Sequence, residues 1–257
     1  MNDRILLIDV GNTNTDFALA TPRRIQRVVS VPTAKLNRIP FLRGTYDACV
    51  IASVVPDATR KLQHWLAVER APRPFGKQGA GSLPLLVNAA ANLGIGVRYP
   101  DKKQIGPDRL ANAVGVVRLF GAPAIVVDFG TAVTFDVINE AGEYVGGVIA
   151  PGLAAMTHYL HEHTALLPRI TPREPRSIIG KSTVGAMQVG AVVGYRGLVR
   201  EILGVLRRQP GMSRATVVAT GGYGGLIARH LREIQHVNPL LTLEGLRFIY
   251  LHNFYES

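Results

Sequence analysis

Two short stretches of the sequence combine residue types that could hold a phosphate group. The first follows an apolar run typical of a buried strand and reads Asp9-Val10-Gly11-Asn12-Thr13-Asn14-Thr15-Asp16. Its glycine and short polar side chains offer backbone N–H, hydroxyl and amide groups, which bind phosphate oxygens. The carboxylate of Asp9 could hold a magnesium ion, directly or through water. An ordinary hairpin, in which Asp9 only caps the turn, accounts for the same residues.

A second copy of this pattern favours the phosphate interpretation. Residues 126–136 again give an apolar strand, an Asp-x-Gly-Thr turn and an alternating strand. Asp9 corresponds to Asp128 and Gly11 to Gly130, and the two copies are separated by nearly half of the 257-residue chain. Two such hairpins that face one cleft would hold the phosphates of a nucleotide from both sides.

Asp108 is the strongest candidate for a catalytic base. It follows Gly106-Pro107 and precedes Arg109, and both a proline and an acidic residue suit the first turn of a helix. A kinase needs a carboxylate to accept a hydroxyl proton while cations hold the phosphoryl group in transfer. The alternative is an acid at a helix start paired with a surface arginine, which contributes less than about 1 kcal/mol.

Three further motifs have both a chemical and a structural interpretation. Gly180-Lys181-Ser182-Thr183 resembles the end of a phosphate-binding P-loop, but Pro175 stands where that loop requires a glycine, so we reject it. Thr183 then either caps a helix or contacts a substrate. Gly221-Gly222 could approach a base or ribose, or simply form a strand-to-helix turn. Three histidines on one helix candidate could bind a metal or only coat the helix. They are His158, His161 and His163.

The elements that must position these residues form two α/β domains, residues 1–121 and 122–257. Each domain is predicted to begin with three strands, which helices and strands then follow in alternation. The helix candidates are residues 33–43 (weak), 56–71, 153–163, 183–208, 221–232 and 241–254, and a helix of about 12 residues that opens at residues 106–109. The strand candidates beyond the hairpins are residues 24–31, 46–53, 85–87, 143–150 and 215–220. Residues 71–84 are rich in proline and glycine and predict a loop.

Composition narrows the class of protein. The chain carries 29 basic and 18 acidic residues, a net charge of +11. The basic residues are scattered along the sequence, which does not favour a nucleic-acid surface. The positive net charge would also suit an anionic small substrate such as ATP. No apolar run approaches membrane-spanning length. The N-terminus lacks the basic segment followed by a longer apolar segment that is typical of a signal peptide. The single cysteine, Cys49, lies in an apolar run. We therefore expect a cytoplasmic protein without membrane contact.

Together these motifs resemble those of type III pantothenate kinases, within the superfamily of acetate kinase, sugar kinases, Hsp70 and actin. The matching segments are residues 9–14, Tyr99 with residues 106–109, and residues 128–132, 146–152, 180–183, 220–222 and 241–246. They come in the family's order over nearly the whole chain, although residues 71–98 match poorly. The resemblance implies two ribonuclease H-like (actin-like) domains, duplicated β-β-β-α-β-α-β-α units with a cleft between them.

The resemblance also implies an activity and a set of site residues. The activity is ATP-dependent phosphorylation of pantothenate to 4′-phosphopantothenate, the first step toward coenzyme A, by a homodimer. Residues Asp9 to Asp16 would bind the ATP phosphates with Mg²⁺, and Thr131 would contact ATP. Asp128 would bind K⁺ or NH₄⁺, and Asp108 would accept the hydroxyl proton. The positions that would contact pantothenate are Tyr99, Gly106, Pro107, Asp108, Arg109 and Thr183.

Two other functions are compatible with the sequence. One is a different small-molecule kinase, or a phosphatase, of the same superfamily. The other is a non-enzymatic regulator, because some relatives are named as transcription accessory factors and the chain is basic. The intact carboxylates of Asp9, Asp108 and Asp128 favour an enzyme. The chain departs from the family at three places, with Asp101-Lys102 for Asn-Pro, Ser182 for a common asparagine and Asp16 for an apolar residue.

Overall fold

A computed structural model of the chain describes residues 3–41, 46–68 and 84–256. It divides into two compact units, Met1–Leu119 with Leu241–Ser257, and Phe120–Leu240. The strands are β1 (Ile5–Val10), β2 (Asn14–Ala20), β3 (Ile25–Pro32), β4 (Ala48–Ser53), β5 (Leu85–Leu86), β6 (Ala124–Phe129), β7 (Ala132–Ile138), β8 (Tyr144–Pro151), β9 (Thr216–Thr220) and β10 (His236–Val237). The helices are α1 (Pro56–Val68), α2 (Pro107–Phe120), α3 (Leu153–Glu162), α4 (Thr183–Val189), α5 (Tyr195–Arg207), α6 (Gly224–Ala228) and α7 (Leu241–Phe254).

Each unit is built on a five-stranded mixed sheet with the same strand order. The first sheet runs β3-β2-β1-β4-β5, and the second runs β8-β7-β6-β9-β10. In both, the first three strands are antiparallel neighbours, while the last two lie parallel to the central one. This repeated order confirms the expected fold class of two duplicated α/β domains.

The central strands are apolar because both faces of each sheet are covered. Ile5 to Ile8 on β1 and Ala124 to Val127 on β6 have no exposed surface, as expected for strands buried on both sides. In the first unit, residues of β1 pack with Phe17 and with Leu62 of α1. In the second unit, residues of β6 pack with Phe135. In the first sheet β4 lies parallel to β1, and in the second sheet β9 lies parallel to β6. Within each sheet, the carboxyl ends of these two strands therefore lie at the same edge.

The last helix corrects the expected domain organisation. The chain crosses between units at residues 119 and 120, two residues from the expected boundary, but Leu241–Ser257 belongs to the first unit rather than the second. Helix α7 packs against β1 and β4 and is buried on several sides. The apolar pattern of α7 indicates that the helix packs on a sheet. The pattern does not specify which of the two similar sheets it covers.

Two other expectations also need correction. Residues 33–41 hold only a single 3₁₀ turn at Thr33–Lys35, which Pro32 directly precedes. The helix from residue 221 shortens to α6. The long helix from residue 183 does form, with a π turn at Gly190–Gly194 between α4 and α5. Three glycines of this helix have open space around them, because a Cβ on any of them would meet no described atom within 4 Å outside its own helical turn. They are Gly190, Gly194 and Gly197.

Most of the predicted loop at residues 71–84 lies outside the described residues. Among the helices that the structure describes, none combines the length and apolar character needed to cross a membrane.

Candidate functional site

The first hairpin has a four-residue tip. Asp9 pairs with Asp16 and Val10 with Thr15, so residues 11–14 form the turn. The Gly11 N–H donates a hydrogen bond of 2.9 Å to the carbonyl of Asn14, which closes the turn. The side chains of residues 12–14 are exposed, as a phosphate-binding tip requires.

Asp9 and Asp16 lie directly opposite each other on the two strands of this hairpin. Side chains of paired residues project from the same face of a sheet, and like charges in such pairs are destabilising. Both carboxylates are half-buried, which weakens the screening of their repulsion by water. Carboxylate oxygens are the ligands that divalent cations prefer, so the pair offers a place for a metal of the kind that accompanies ATP.

The carboxyl end of β4 brings Asp108 to the same edge of the sheet. Val54 follows β4, and its N–H donates to the carbonyl of Val10 at 3.0 Å. A Cβ on Gly106 would lie 3.6 Å from Val54 Cγ1 and would collide with the Asp108 carboxylate. The structure therefore places the predicted base beside the end of β4, next to the strand that carries Asp9. It also explains the glycine at position 106.

The Asp108 carboxylate is held in a half-buried environment at the start of α2. Its Oδ1 accepts the Arg109 N–H at 2.9 Å, while the Gly106 carbonyl accepts the first helical N–H, from Leu110. Burial raises the pKa of Asp108, and the Arg109 N–H and the Arg109 charge oppose that rise. A carboxylate destabilised in its charged form is a stronger proton acceptor, which is the property a general base needs.

The loop before α2 owes its shape to Asp101. Its carboxylate accepts the Lys103 N–H at 3.2 Å and the Gln104 side chain at 3.0 Å, which caps a 3₁₀ turn at Lys102–Gln104. The unusual Asp101-Lys102 pair thus holds this loop by hydrogen bonds. Tyr99 is half-buried in the same loop.

In the second unit, three predicted motifs meet at the second hairpin. Asp128 pairs with Thr220 across β6 and β9, and Gly221 follows with φ of +80°. A Cβ on Gly221 would lie 2.5 Å from Asp128 Oδ1. A Cβ on Gly152 would lie 2.6 Å from the carbonyl oxygen of Gly130 and would collide with that of Thr131. Glycines therefore allow the second hairpin, the start of α3 and the end of β9 to converge.

Thr183 is exposed at the first position of α4 and does not cap it. Ser182 is the cap, because its Oγ accepts the Gly185 N–H at 3.1 Å. Ser182 and Val184 line a cavity of about 550 Å³ beneath the 173–181 loop. The cap at Ser182 leaves Thr183 exposed, and its contact with a substrate stays a prediction.

The two histidines of α3 and His163, which follows the helix, have partners other than a metal. His158 lies 3.1 Å from Glu162, His161 bonds the Leu167 carbonyl and His163 that of Tyr159. No group of three or more potential ligands for a metal occurs among the residues that the structure describes.

Sequence reasoning missed two polar residues at the first hairpin's edge. Thr33 bonds the hairpin tip, and Ser53 ends β4 beside Val10. The Ser53 hydroxyl accepts from Thr59 at 2.6 Å and organises the turn into α1. The signal for Ser53 was available, because carboxyl ends of parallel strands meet at one edge and Ser53 ends such a strand.

Comparison with known proteins identifies the family. A family model described as type III pantothenate kinase matches residues 5–204. A type III pantothenate kinase from Akkermansia muciniphila is 50% identical over 248 residues, which cover 94% of this chain and 96% of that protein. Another from Moorella thermoacetica is 40% identical over 263 residues, which cover 97% of this chain and 99% of that protein.

Solved structures with the same fold are more distant in sequence. A Campylobacter jejuni protein assigned to the Baf family of transcriptional activators has a TM-score of 0.60 at 18% identity, covering 96% of this chain and 98% of its own. Component A of (R)-2-hydroxyglutaryl-CoA dehydratase from Acidaminococcus fermentans has a TM-score of 0.54 at 12% identity, covering 99% and 100%. These likenesses concern the fold alone. The family model and the close relatives carry the assignment, and the chain belongs to the type III pantothenate kinase family.

Proposed function

We propose that this protein transfers the γ-phosphoryl group of ATP to the terminal hydroxyl of pantothenate, giving 4′-phosphopantothenate and ADP. The observation that carries the proposal is the Asp108 carboxylate. It is half-buried, oriented by the Arg109 N–H and raised in pKa by burial. It also lies at the sheet edge that presents the Asp9 hairpin. Family membership supports the choice of pantothenate as the acceptor.

In the proposed reaction the pantothenate hydroxyl oxygen attacks the γ-phosphorus. Its proton passes to Asp108, and the bond from the γ-phosphorus to the bridging oxygen breaks, leaving ADP. Arg109, which follows the base, would hold an anionic group of the substrate, with Tyr99 and Thr183 as further pantothenate contacts. Most of the acceleration would come from positioning and from neutralisation of phosphate charge.

The cation requirements form part of the proposal. The paired carboxylates of Asp9 and Asp16 fit Mg²⁺, which prefers oxygen ligands and accompanies ATP. Asp128, which lies against Gly221, would hold K⁺ or NH₄⁺, and Thr131 at the exposed tip would contact ATP. The divalent and the monovalent cation would each supply positive charge that stabilises the phosphates during transfer. The reaction would take place in the cytoplasm.

A coupled assay for ADP release tests the proposal. With pantothenate and MgATP we expect turnover in potassium or ammonium chloride, and a rate at least about tenfold lower in sodium chloride. Na⁺ is smaller and more strongly hydrated, so a site that fits K⁺ would hold it poorly, and the phosphates would then lack that cation's charge. Asp128→Asn should flatten this dependence on the cation. Absence of pantothenate-dependent ADP release under every salt would refute the function. Equal rates in all salts would refute the monovalent site alone.

Exposed apolar side chains of the second unit support a homodimer. Large apolar residues there remain exposed, including Tyr159 at 60% and Ile179 at 72%. Met156, Tyr159 and Leu160 share one face of α3 by their spacing, and α3 contacts the Gly190–Gly194 turn. Apolar surface at this density marks interaction sites, and we propose that a second copy of the chain covers it.

The double substitution Tyr159→Glu with Ile179→Glu should convert a dimer to a monomer, because two desolvated charges per chain would oppose association. Light scattering during size-exclusion chromatography should give the mass of two chains for the native protein and of one chain for the variant. Val205→Glu, an exposed apolar position on α5, is the matched control and should remain dimeric. A native protein of single-chain mass at micromolar concentration would contradict the proposed interface.

A further inference from the structure

Thr33, the residue after β3, is bonded to the tip of the first hairpin by both its backbone and its side chain. Its N–H donates to the Thr13 carbonyl at 2.9 Å. Its Oγ1 donates to the Gly11 carbonyl at 2.7 Å. A third contact of 2.9 Å joins its Oγ1 to that of Thr15. Two of these bonds hold the tip, whose residues 12–14 are exposed, and the third holds Thr15 beside it.

The hydroxyl protons have one consistent arrangement. A threonine hydroxyl carries a single proton, and that of Thr33 is used on the Gly11 carbonyl. Thr15 must then donate to Thr33, although the distance alone permits either direction. Thr15 has no exposed surface, so loss of the Thr33 hydroxyl would leave the buried Thr15 hydroxyl without this acceptor, and buried hydroxyls that lose a partner are costly.

The bond to the Gly11 carbonyl also determines where a neighbouring N–H points. In a trans peptide the C=O and the next N–H project in opposite directions. A Gly11 carbonyl bound to Thr33 therefore directs the Asn12 N–H away from Thr33. Backbone N–H groups at such a tip are the donors that bind phosphate oxygens, so their direction decides whether the tip can bind.

The second unit holds its hairpin from the equivalent position by another means. Pro32 at the end of β3 pairs with Asn14, and Pro151 at the end of β8 pairs with Ala132. The next residue is Thr33 in the first unit and Gly152 in the second. Gly152 packs directly on the carbonyls of Gly130 and Thr131. The duplicated fold thus supports each hairpin from the residue after its third strand.

We propose that Thr33 is a positioning residue for nucleotide binding, whose hydroxyl holds the first hairpin in the conformation that binds the ATP phosphates. The proposal rests on the proposed function only in taking a nucleoside triphosphate as the ligand. It makes no use of the acceptor, which is bound elsewhere. The effect of Thr33 should therefore appear in nucleotide affinity and not in the chemistry of transfer.

The test is the isosteric replacement Thr33→Val, with Thr33→Ser as the variant that retains the hydroxyl. For Thr33→Val, KM for MgATP should rise about tenfold, as expected for loss of one buried hydrogen-bond network. KM for pantothenate should change less than about twofold. Thr33→Ser should restore KM for MgATP to near the native value. Thr21→Val removes a comparable hydroxyl-to-carbonyl bond at the other end of β2 and should leave both constants unchanged.

Direct binding separates this inference from the proposed function. Calorimetric titration with a non-hydrolysable ATP analogue and Mg²⁺ requires no acceptor, so the loss in affinity should appear even if pantothenate is not the substrate. Thermal unfolding monitors the fold, and Thr33→Ala provides a smaller side chain if Thr33→Val misfolds. Equal analogue affinity in the native protein and in a folded Thr33→Val or Thr33→Ala variant would overturn the proposal. So would a parallel loss of affinity in Thr33→Ser.

Discussion

Replacement of Asp108 with asparagine should lower kcat by about 10²- to 10⁴-fold, the usual contribution of a general base. Asparagine retains the oxygen that accepts the Arg109 N–H but cannot take a proton. KM for MgATP should therefore stay close to the native value, since the nucleotide hairpin is unchanged. Steady-state kinetics at saturating potassium measures both constants.

The pH dependence should follow the raised pKa of Asp108. The base acts in its charged form, and burial raises its pKa above the ordinary range of an aspartate. We expect kcat/KM to fall on the acid side at a higher pH than an exposed carboxyl would give. In Asp108→Asn this acid limb should disappear from the residual activity.

The same shift predicts a stability effect of opposite sign to the activity loss. A carboxyl with a raised pKa binds its proton more tightly in the folded state, so stability falls as pH rises through that pKa. At neutral pH the buried charge is therefore a cost, and Asp108→Asn should equal or exceed the native Tm. The gain should vanish at strongly acidic pH, where the native carboxyl is also protonated.

The chain offers a matched control in Asp57. Pro56-Asp57 opens α1 as Pro107-Asp108 opens α2, but Asp57 is exposed and pairs with Arg60. Asp57→Asn should leave kcat unchanged and should not raise Tm. If Asp108→Asn keeps kcat within about threefold of native, a margin below the usual effect of a base, the assignment of the base is wrong.

The substitution Gly245→Ala should be among the most destabilising single methyl additions in the chain. A Cβ at Gly245 would collide with the Ala111 carbonyl oxygen and lie 2.6 Å from the carbonyl carbon. Ala111 is on α2 and the obstacle is backbone, so α2 and α7 would have to separate. Insertion into a packed core costs about 1–3 kcal/mol and occasionally more, and we expect about 3 kcal/mol here. Urea unfolding should show the loss as a lower midpoint.

Gly204→Ala is the control with the opposite expected sign. Gly204 lies within α5, and a Cβ there would approach only the end of the Arg208 side chain, at 3.6 Å. Alanine is favoured over glycine inside a helix by about 0.5–1 kcal/mol, so the midpoint should rise. A Gly245→Ala midpoint equal to or above native would show that the two helices are not in close contact.

Local chemistry in the sequence predicted most of the elements and the positions where the site should lie. The two Asp-x-Gly hairpins, the Gly106-Pro107 helix start and the duplicated order of strands follow from turn residues and apolar runs. The Gly-Pro start of α2 also predicted that Asp108 lies in the first turn of a helix. These features depend on neighbours within a few residues, which a single sequence displays directly.

The rest depends on contacts between distant parts of the chain. Three contacts join segments that are far apart in the sequence. Helix α7 packs on the first sheet, Thr33 donates a hydrogen bond to the Gly11 carbonyl, and Gly221 lies against Asp128. Propensity cannot reveal them. The absence of a helix at residues 33–41 has the same origin, because Thr33 is bonded to the hairpin and Pro32 directly precedes the short turn that remains.

The return of α7 to the first unit has a consequence for biosynthesis. The second unit, Phe120–Leu240, is one uninterrupted segment, and all of it has been synthesised before α7 leaves the ribosome. The first unit contains residues 3–41 and yet lacks the helix that covers β1 and β4 until residues 241–254 have been synthesised. The middle of the chain can therefore fold before its beginning is complete. A chain truncated after Leu240 would spare the surroundings of Asp128 and leave those of Asp9 and Asp108 uncovered.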